Sequence, residues 1–260
     1  MAVAFVLLAA LALTGVSQAA GRSGASPAAC KRLGGKLERQ RSGLARARNP
    51  ANRAAIRRNI RITRRLRRLA CHSQPRPRLP SDFRGSGRYL VPVYGFNVPF
   101  VWRGGGGNSE MIAGGDAYPI YFINLIYGGS LYTITYRWPG VNDHPCSRIP
   151  GFTLDTLNQI FAGAAYVGPE VLNRNRRLYV NHWRLAAAVP VGLPGFVLPI
   201  PAAEADIYVD ESDPTTFRRV LHFGFQNLYA PDLDEWIVMH SFKHAAGAVT
   251  LPPTCQPPSA

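Results

Sequence analysis

Arg53, Arg57, Arg58, Arg61, Arg64, Arg65 and Arg68 recur at helical spacing with no acid among them. At 100° per residue these seven cover about half of a helix circumference, and only Arg67 falls on the other half. A guanidinium fork bonds phosphate or carboxylate oxygens bidentately, so the seven together make an anion-binding face. A merely solvated face ordinarily mixes signs, and this one does not. Each Arg held near an anionic surface contributes on the order of 1 kcal/mol.

The histidines offer the next chemistry. His222 is expected to share a strand face with Arg218 and Val220, and His240 with Val238, Phe242 and His244. If those strands pair, His222 and His240 approach, and Asp206 or Asp210 would complete a hydrolytic site. No third ligand or carboxylate is identifiable beside them, so structural histidines are the expectation. His240 and His244 lie about 13 Å apart along one strand, too far to chelate one ion. Asp206, Asp210, Glu211 and Asp213 cluster, as do Asp232, Asp234 and Glu235. Neither group has the spaced acid–glycine pattern of a calcium loop, so solvated turns are expected. No Gly-x-Ser-x-Gly occurs, and Gly85-Ser86-Gly87 reads as a short turn. Arg103-Gly104-Gly105-Gly106-Gly107-Asn108 lacks the Gly-Lys-Ser/Thr ending of a phosphate loop and reads as a flexible hinge or lid. No cofactor, metal or catalytic residue is therefore expected.

Charge divides the chain that must position these groups. Eighteen of its thirty Lys and Arg lie between Arg22 and Arg78 against one acid, Glu38, while residues 81–260 hold twelve bases and fourteen acids. Nearly all the aromatic residues also follow residue 80; Phe5 is the exception. The first thirteen residues are apolar and lead to Ser17-Gln18-Ala19, which predicts a signal peptide over 1–19, cleaved after Ala19, with an uncleaved anchor as the alternative. Four cysteines suit an oxidising compartment and allow three pairings.

After a linker over 20–29, residues 30–71 predict an antiparallel helical hairpin turning at Asn49-Pro50. Cys30, Leu33, Leu37, Gln40, Leu44 and Ala47 form one seam, and Ala55, Asn59, Ile62, Leu66 and Leu69 the other. Folding about Pro50 sets Leu33 against Leu66, Leu37 against Ile62, Gln40 against Asn59 and Leu44 against Ala55. Cys30 and Cys71 then meet at the open end, which leaves Cys146 to pair with Cys255. Closing a loop of about 42 residues is worth roughly 4 kcal/mol in the chain-entropy view.

Residues 72–87, spaced by prolines, predict an extended, semi-rigid linker that is not packed. An aromatic-rich β domain follows over 88–250, then a tail over 251–260 held by Cys255. Tyr118–Tyr127, Gly128-Gly129 and Ser130–Trp138 make the strongest hairpin, with Tyr132, Ile134, Tyr136 and Trp138 on one face and Thr133 and Thr135 on the other. Tyr132, Ile134 and Tyr136 are expected to face a shared interior and the two threonines to be more exposed. A helix is predicted over 153–162 with Thr153 as its cap. Strands resume over 178–187, 205–209, 217–225 and 236–244, and Asp210–Pro214 make a turn. The fold class is α+β: a basic helical hairpin followed by a curved, mainly antiparallel sheet of about eight strands with one main helix. The expected function is that of an exported, non-catalytic binding protein. Its arginine face docks on anionic lipid headgroups or acidic cell-wall polymer, with nucleic acid ranked below these, and its β domain holds an apolar ligand or partner. The alternative is an extracytoplasmic hydrolase built on His222, His240 and Asp206 or Asp210.

Overall fold

The structure is a computed structural model that describes residues 24–138, 141–142, 146–173, 178–186, 190–193, 196–199, 204–227 and 230–255. The expected signal segment lies outside these residues.

Two helices, α1 (Pro27–Arg46) and α2 (Pro50–Cys71), form the hairpin. Each opens on a proline in the first helical turn, where a missing N–H costs nothing. Ser26 Oγ accepts from the Ala29 N–H at 3.3 Å, and Asn49 Oδ1 accepts from the Ala51 N–H at 2.8 Å, so both N-termini are capped. Disulfides join Cys30 to Cys71 and Cys146 to Cys255, with Cα separations of 5.0 and 5.2 Å. These bridges suggest an oxidising, extracytoplasmic environment. No helix among the described residues is long and apolar enough to cross a membrane.

The seam of α1 follows the sequence pattern, with Ala29, Leu33 and Leu37 buried. That of α2 is turned by about one residue from expectation. Ile60, Thr63 and Ala70 are buried, whereas Ala55 and Asn59 are exposed and Ile62, Leu66 and Leu69 are half-buried. Burying Ile60 instead of Asn59 removes more apolar area from water and leaves the amide hydrated. Exposed Asn59 is therefore no partner for Gln40, whose Oε1 is buried without a partner among the described residues. Arg67, the one arginine on the wrong side of the pattern, is exposed and lays its guanidinium beside Gly34 of α1.

The β domain is one twelve-stranded sheet in which every pairing is antiparallel. Its strands are β1 (Phe83–Val91), β2 (Phe96–Gly105), β3 (Asn108–Gly114), β4 (Tyr121–Tyr127), β5 (Ser130–Trp138), β6 (Val141–Asn142), β7 (Ser147–Pro150), β8 (Ala165–Asn173), β9 (Leu178–Ala186), β12 (Glu204–Asp210), β13 (Phe217–Asn227) and β14 (Ala230–Lys243). Their order is β6-β5-β4-β3-β2-β1-β14-β13-β12-β9-β8, with β7 also on β5. A separate hairpin pairs β10 (Pro190–Leu193) with β11 (Phe196–Pro199).

The sheet curls. Trp102 on β2 meets Phe217 on β13 with ring centroids 5.6 Å apart, and Tyr89 on β1 meets Phe122 on β4 at 5.3 Å. Both pairs bridge three strand steps, about 14 Å on a flat sheet. Trp102, Trp183, Phe83, Phe100 and Phe217 fill the concave face. Helix α3 (Leu154–Ala162), capped by the reciprocal Thr153–Thr156 bonds, adds Leu154, Ile160 and Phe161 to the same core.

Three expectations change here. Gly85-Ser86-Gly87 is part of β1, so the sheet begins at Phe83, inside the segment assigned to the linker. The glycine run is no lid. Gly106 and Gly107, at φ of 59° and 79°, make the tight β2–β3 turn, as Gly128 and Gly129 do for β4–β5. On β5, Tyr132 and Ile134 are buried, but so is Thr133, bonded to Asn124 Oδ1 at 3.1 Å, while Tyr136 is exposed. The segment ending at Cys255 covers Ile123, Leu125, Tyr132 and Ile134 with Val249 and Leu251. Tyr136 falls outside that cover and stacks on Tyr121 at 4.6 Å. The side chain of Thr135 lies outside the described residues.

The proline segment is extended as expected but packed, which corrects the reading of a free spacer. Pro77 and Leu79 are buried, and Asn158 of α3 clasps both backbone groups of Leu79. Its Oδ1 accepts from the N–H at 2.8 Å, and its Nδ2 donates to the carbonyl at 3.1 Å. Gln74, also buried, accepts from Asn181 Nδ2 at 3.2 Å. Prolines supply no N–H, so few polar groups of the strap need partners; besides those met by Asn158 and Asn181, the Arg78 N–H donates to the Pro214 carbonyl at 3.2 Å. Asn158→Ala strips both partners from a buried peptide unit and should lower stability by roughly 1–3 kcal/mol. A urea midpoint equal to that of the parent would show that water serves Leu79 equally well.

Candidate anion-docking face

Six of the seven predicted arginines, Arg53, Arg57, Arg58, Arg61, Arg64 and Arg68, are exposed on α2 and have no ion-pair or hydrogen-bond partner among the described residues. Arg65 is different. Its Nε donates to Glu211 Oε2 at 3.0 Å, its Nη2 also bonds Glu211, and its guanidinium carbon lies 4.4 Å over the Tyr179 ring. It belongs to the contact between hairpin and sheet, not to the outward row.

That contact is otherwise made by small residues. Gly24 has no room for a Cβ against the Trp183 indole, and a Cβ at Gly168 would sit 3.1 Å from that of Ala29. The Ser26 N–H donates to the Ala70 carbonyl at 3.1 Å, and both Ala29 and Ala70 are buried. Backbones approach closely only where side chains are short. The open end of the hairpin thus rests on β8 and β9, and the other six arginines are left exposed.

The carboxylates that sequence reasoning grouped are used within the fold. Asp210 Oδ1 accepts from the Ser212 N–H and hydroxyl, and its Oδ2 accepts from Arg218 at 3.0 Å. Asp213 accepts from Thr215 and Thr216. These are side-chain turns that shape the β12–β13 loop. The side chains of Asp232, Asp234 and Glu235 lie outside the described residues, as does that of His222. The suggested hydrolytic pair is still separated by register. β13 pairs with β14, but His222 stands opposite Trp236, and the exposed His240 lies four residues, about 13 Å, further along.

One polar cluster escaped the sequence reading. His182 on β9, almost fully buried, sits between Glu170 and Asp206, with Nδ1 2.7 Å from Glu170 Oε1 and Nε2 2.7 Å from Asp206 Oδ1. Arg184 Nε donates to Asp206 at 2.9 Å, and Tyr208 stacks on the imidazole at 4.5 Å. The available signal was the alternation of His182 and Arg184 on one strand face opposite Asp206, but it needed the β9–β12 register, which sets Asp206 against Arg184. A histidine acting as a base keeps one nitrogen for the substrate. Here both are engaged, so the cluster holds three strands together electrostatically.

Burial alone would pull the His182 pKa down, but hydrogen bonds to Glu170 and Asp206 outweigh it and hold it above the ordinary histidine value. For Asp206, burial pushes up, and the bonds from Arg184 and His182 prevail and lower it.

No protein-family model matches the chain, and no curated protein matches it either.

A histidine whose folded pKa is raised stabilises fully below its unfolded value, about 6.5, and loses that contribution as pH rises through the folded value. The stability deficit of His182→Gln relative to the parent should therefore be largest in mildly acidic buffer and shrink as the medium is made alkaline. Thermal melts across that range check this. A deficit that does not change with pH would mean that His182 is neutral in the folded protein.

Proposed function

We propose that the chain is an exported, non-catalytic binding protein that attaches to an anionic envelope surface through α2. The supporting observation is the contrast between its two halves. Six arginines on α2 face solvent without partners among the described residues, whereas Arg103, Arg184 and Arg218 of the β domain pair with Glu110, Asp206 and Asp210. Unpaired charge at this density is costly to the isolated molecule through self-repulsion, and an anionic surface relieves that cost. The aromatic residues on the concave face pack against one another, so the proposal rests on the arginine face and assigns no ligand to the sheet interior. The compartment is extracytoplasmic, and attachment to the cell surface follows from the same face.

Replacing Arg57, Arg61, Arg64 and Arg68 by Gln should abolish binding to acidic surfaces while keeping the helical content of the parent, with a melting temperature no lower than the parent's because self-repulsion is relieved. Parent binding should be strong at low salt and collapse towards about 0.15 M, where the screening length is roughly 8 Å. Affinity retained by the quadruple variant, in co-sedimentation at low salt, would identify the row as a solvated face.

A further inference from the structure

We infer that the occupant of the basic hairpin is a linear phosphate polymer that follows both of its sides, and not the plane of a bilayer. This rests on the docking reading above and adds the shape of the partner to it.

The outward row on α2 is axial. Arg53, Arg57, Arg61, Arg64 and Arg68 succeed one another at spacings of three and four, and at 1.5 Å per residue they span about 22 Å. A second basic set lies on α1, where Arg32, Lys36 and Arg39 are exposed within less than a quarter of the circumference. With the two helices antiparallel and their buried seams facing each other, helical phase puts this set and the α2 row on opposite sides of the hairpin. A plane can touch only one of those sides at a time. A flexible chain carrying charge at every unit can run along one and return along the other.

The apolar surface argues the same way. The large hydrophobic side chains exposed among the described residues are Tyr94, Val101 and Tyr136, all in the β domain. Helices that lie in a bilayer interface bury an apolar face between headgroups and acyl chains, and the apolar faces of α1 and α2 are spent on each other and on the sheet. Arginine forks donate to two phosphate oxygens at once, so a row of them suits phosphate groups repeated along a chain.

The test uses the disulfide-bonded chain with three probes at equal phosphate concentration: long-chain inorganic polyphosphate, vesicles of mixed phosphatidylglycerol and phosphatidylcholine, and single-stranded DNA. Polyphosphate should bind most tightly. Its affinity should fall with salt by about 0.7 log units per log unit of salt for each contact, the value for single strands. Replacing Arg57, Arg61, Arg64 and Arg68 by Gln should lower that slope by about 3, and Arg32→Gln with Lys36→Gln and Arg39→Gln should lower it by about 2. Circular dichroism verifies that both variants keep their helices. Vesicles bound as tightly as polyphosphate, or an α1 variant with the parent slope, would overturn the polymer reading and leave surface docking standing. Tighter binding of DNA would reassign the row to nucleic acid. Failure of all three probes at low salt would remove the docking function itself.

Discussion

The mutual repulsion of the bases on α1 and α2 is the constraint from which the rest of the molecule follows. Two helices of this composition have little apolar surface to share, and what they share is narrow: Ala29, Leu33 and Leu37 against Ile60, Thr63 and Ala70. A core of that size does not hold like charges together unaided. The Cys30–Cys71 bridge closes the open end, and the same end is pressed onto β8 and β9 through Gly24, Ala29, Ala70 and Gly168. Small residues carry this contact because arginines there would have to lose their water. The one guanidinium that turns inward, Arg65, meets both a carboxylate and a ring. The other arginines of α2 remain exposed.

The β domain solves the opposite problem. Its charges are nearly balanced, and Arg103–Glu110, Arg184–Asp206 and Arg218–Asp210 pair across neighbouring strands, while its rings fill the hollow of a curled sheet. The strap over residues 73–80, α3 and the open end of the hairpin all lie against the hollow side, through Leu79, Phe161 and the contact of Gly24 with Trp183. The outer face is tied by the His182 cluster at one end and covered near the other by the segment that Cys255 fastens to Cys146. The basic hairpin is thus packed against one end of a curled sheet whose own polar groups hold its strands together.

Much of this was legible in the chain because local rules agreed. The 3–4 spacing of apolar residues located α1 and α2, the mirror positions of Cys30 and Cys71 about Pro50 chose the pairing, and Gly128-Gly129 placed the β4–β5 turn. The misreadings share a physical cause: each needed a tertiary partner to decide it. Asn59 and Ile60 differ by one step of helical phase, and only packing against α1 selects Ile60. Prolines at 75, 77 and 80 describe an extended strap equally well whether it is free or clasped by Asn158. The edge strand β8 contains Gly168 and Pro169, which locally argue against a strand and are tolerated at an edge. His182 carried no motif. Its meaning came from Glu170 and Asp206, brought to it by two different neighbouring strands.

The central claim is that the hairpin is held together against its own charge. Amide hydrogen exchange of the disulfide-bonded protein, followed across a range of ionic strength, reads this directly, because it reports the opening free energy of α1 and α2 separately from that of the sheet. Repulsion predicts that protection of the α1 and α2 amides rises as salt screens the bases, with protection in β1, β2 and β14 unchanged. Protection of the helices that falls with salt would contradict the claim, because it would mean that their arginines are held in stabilising ion pairs.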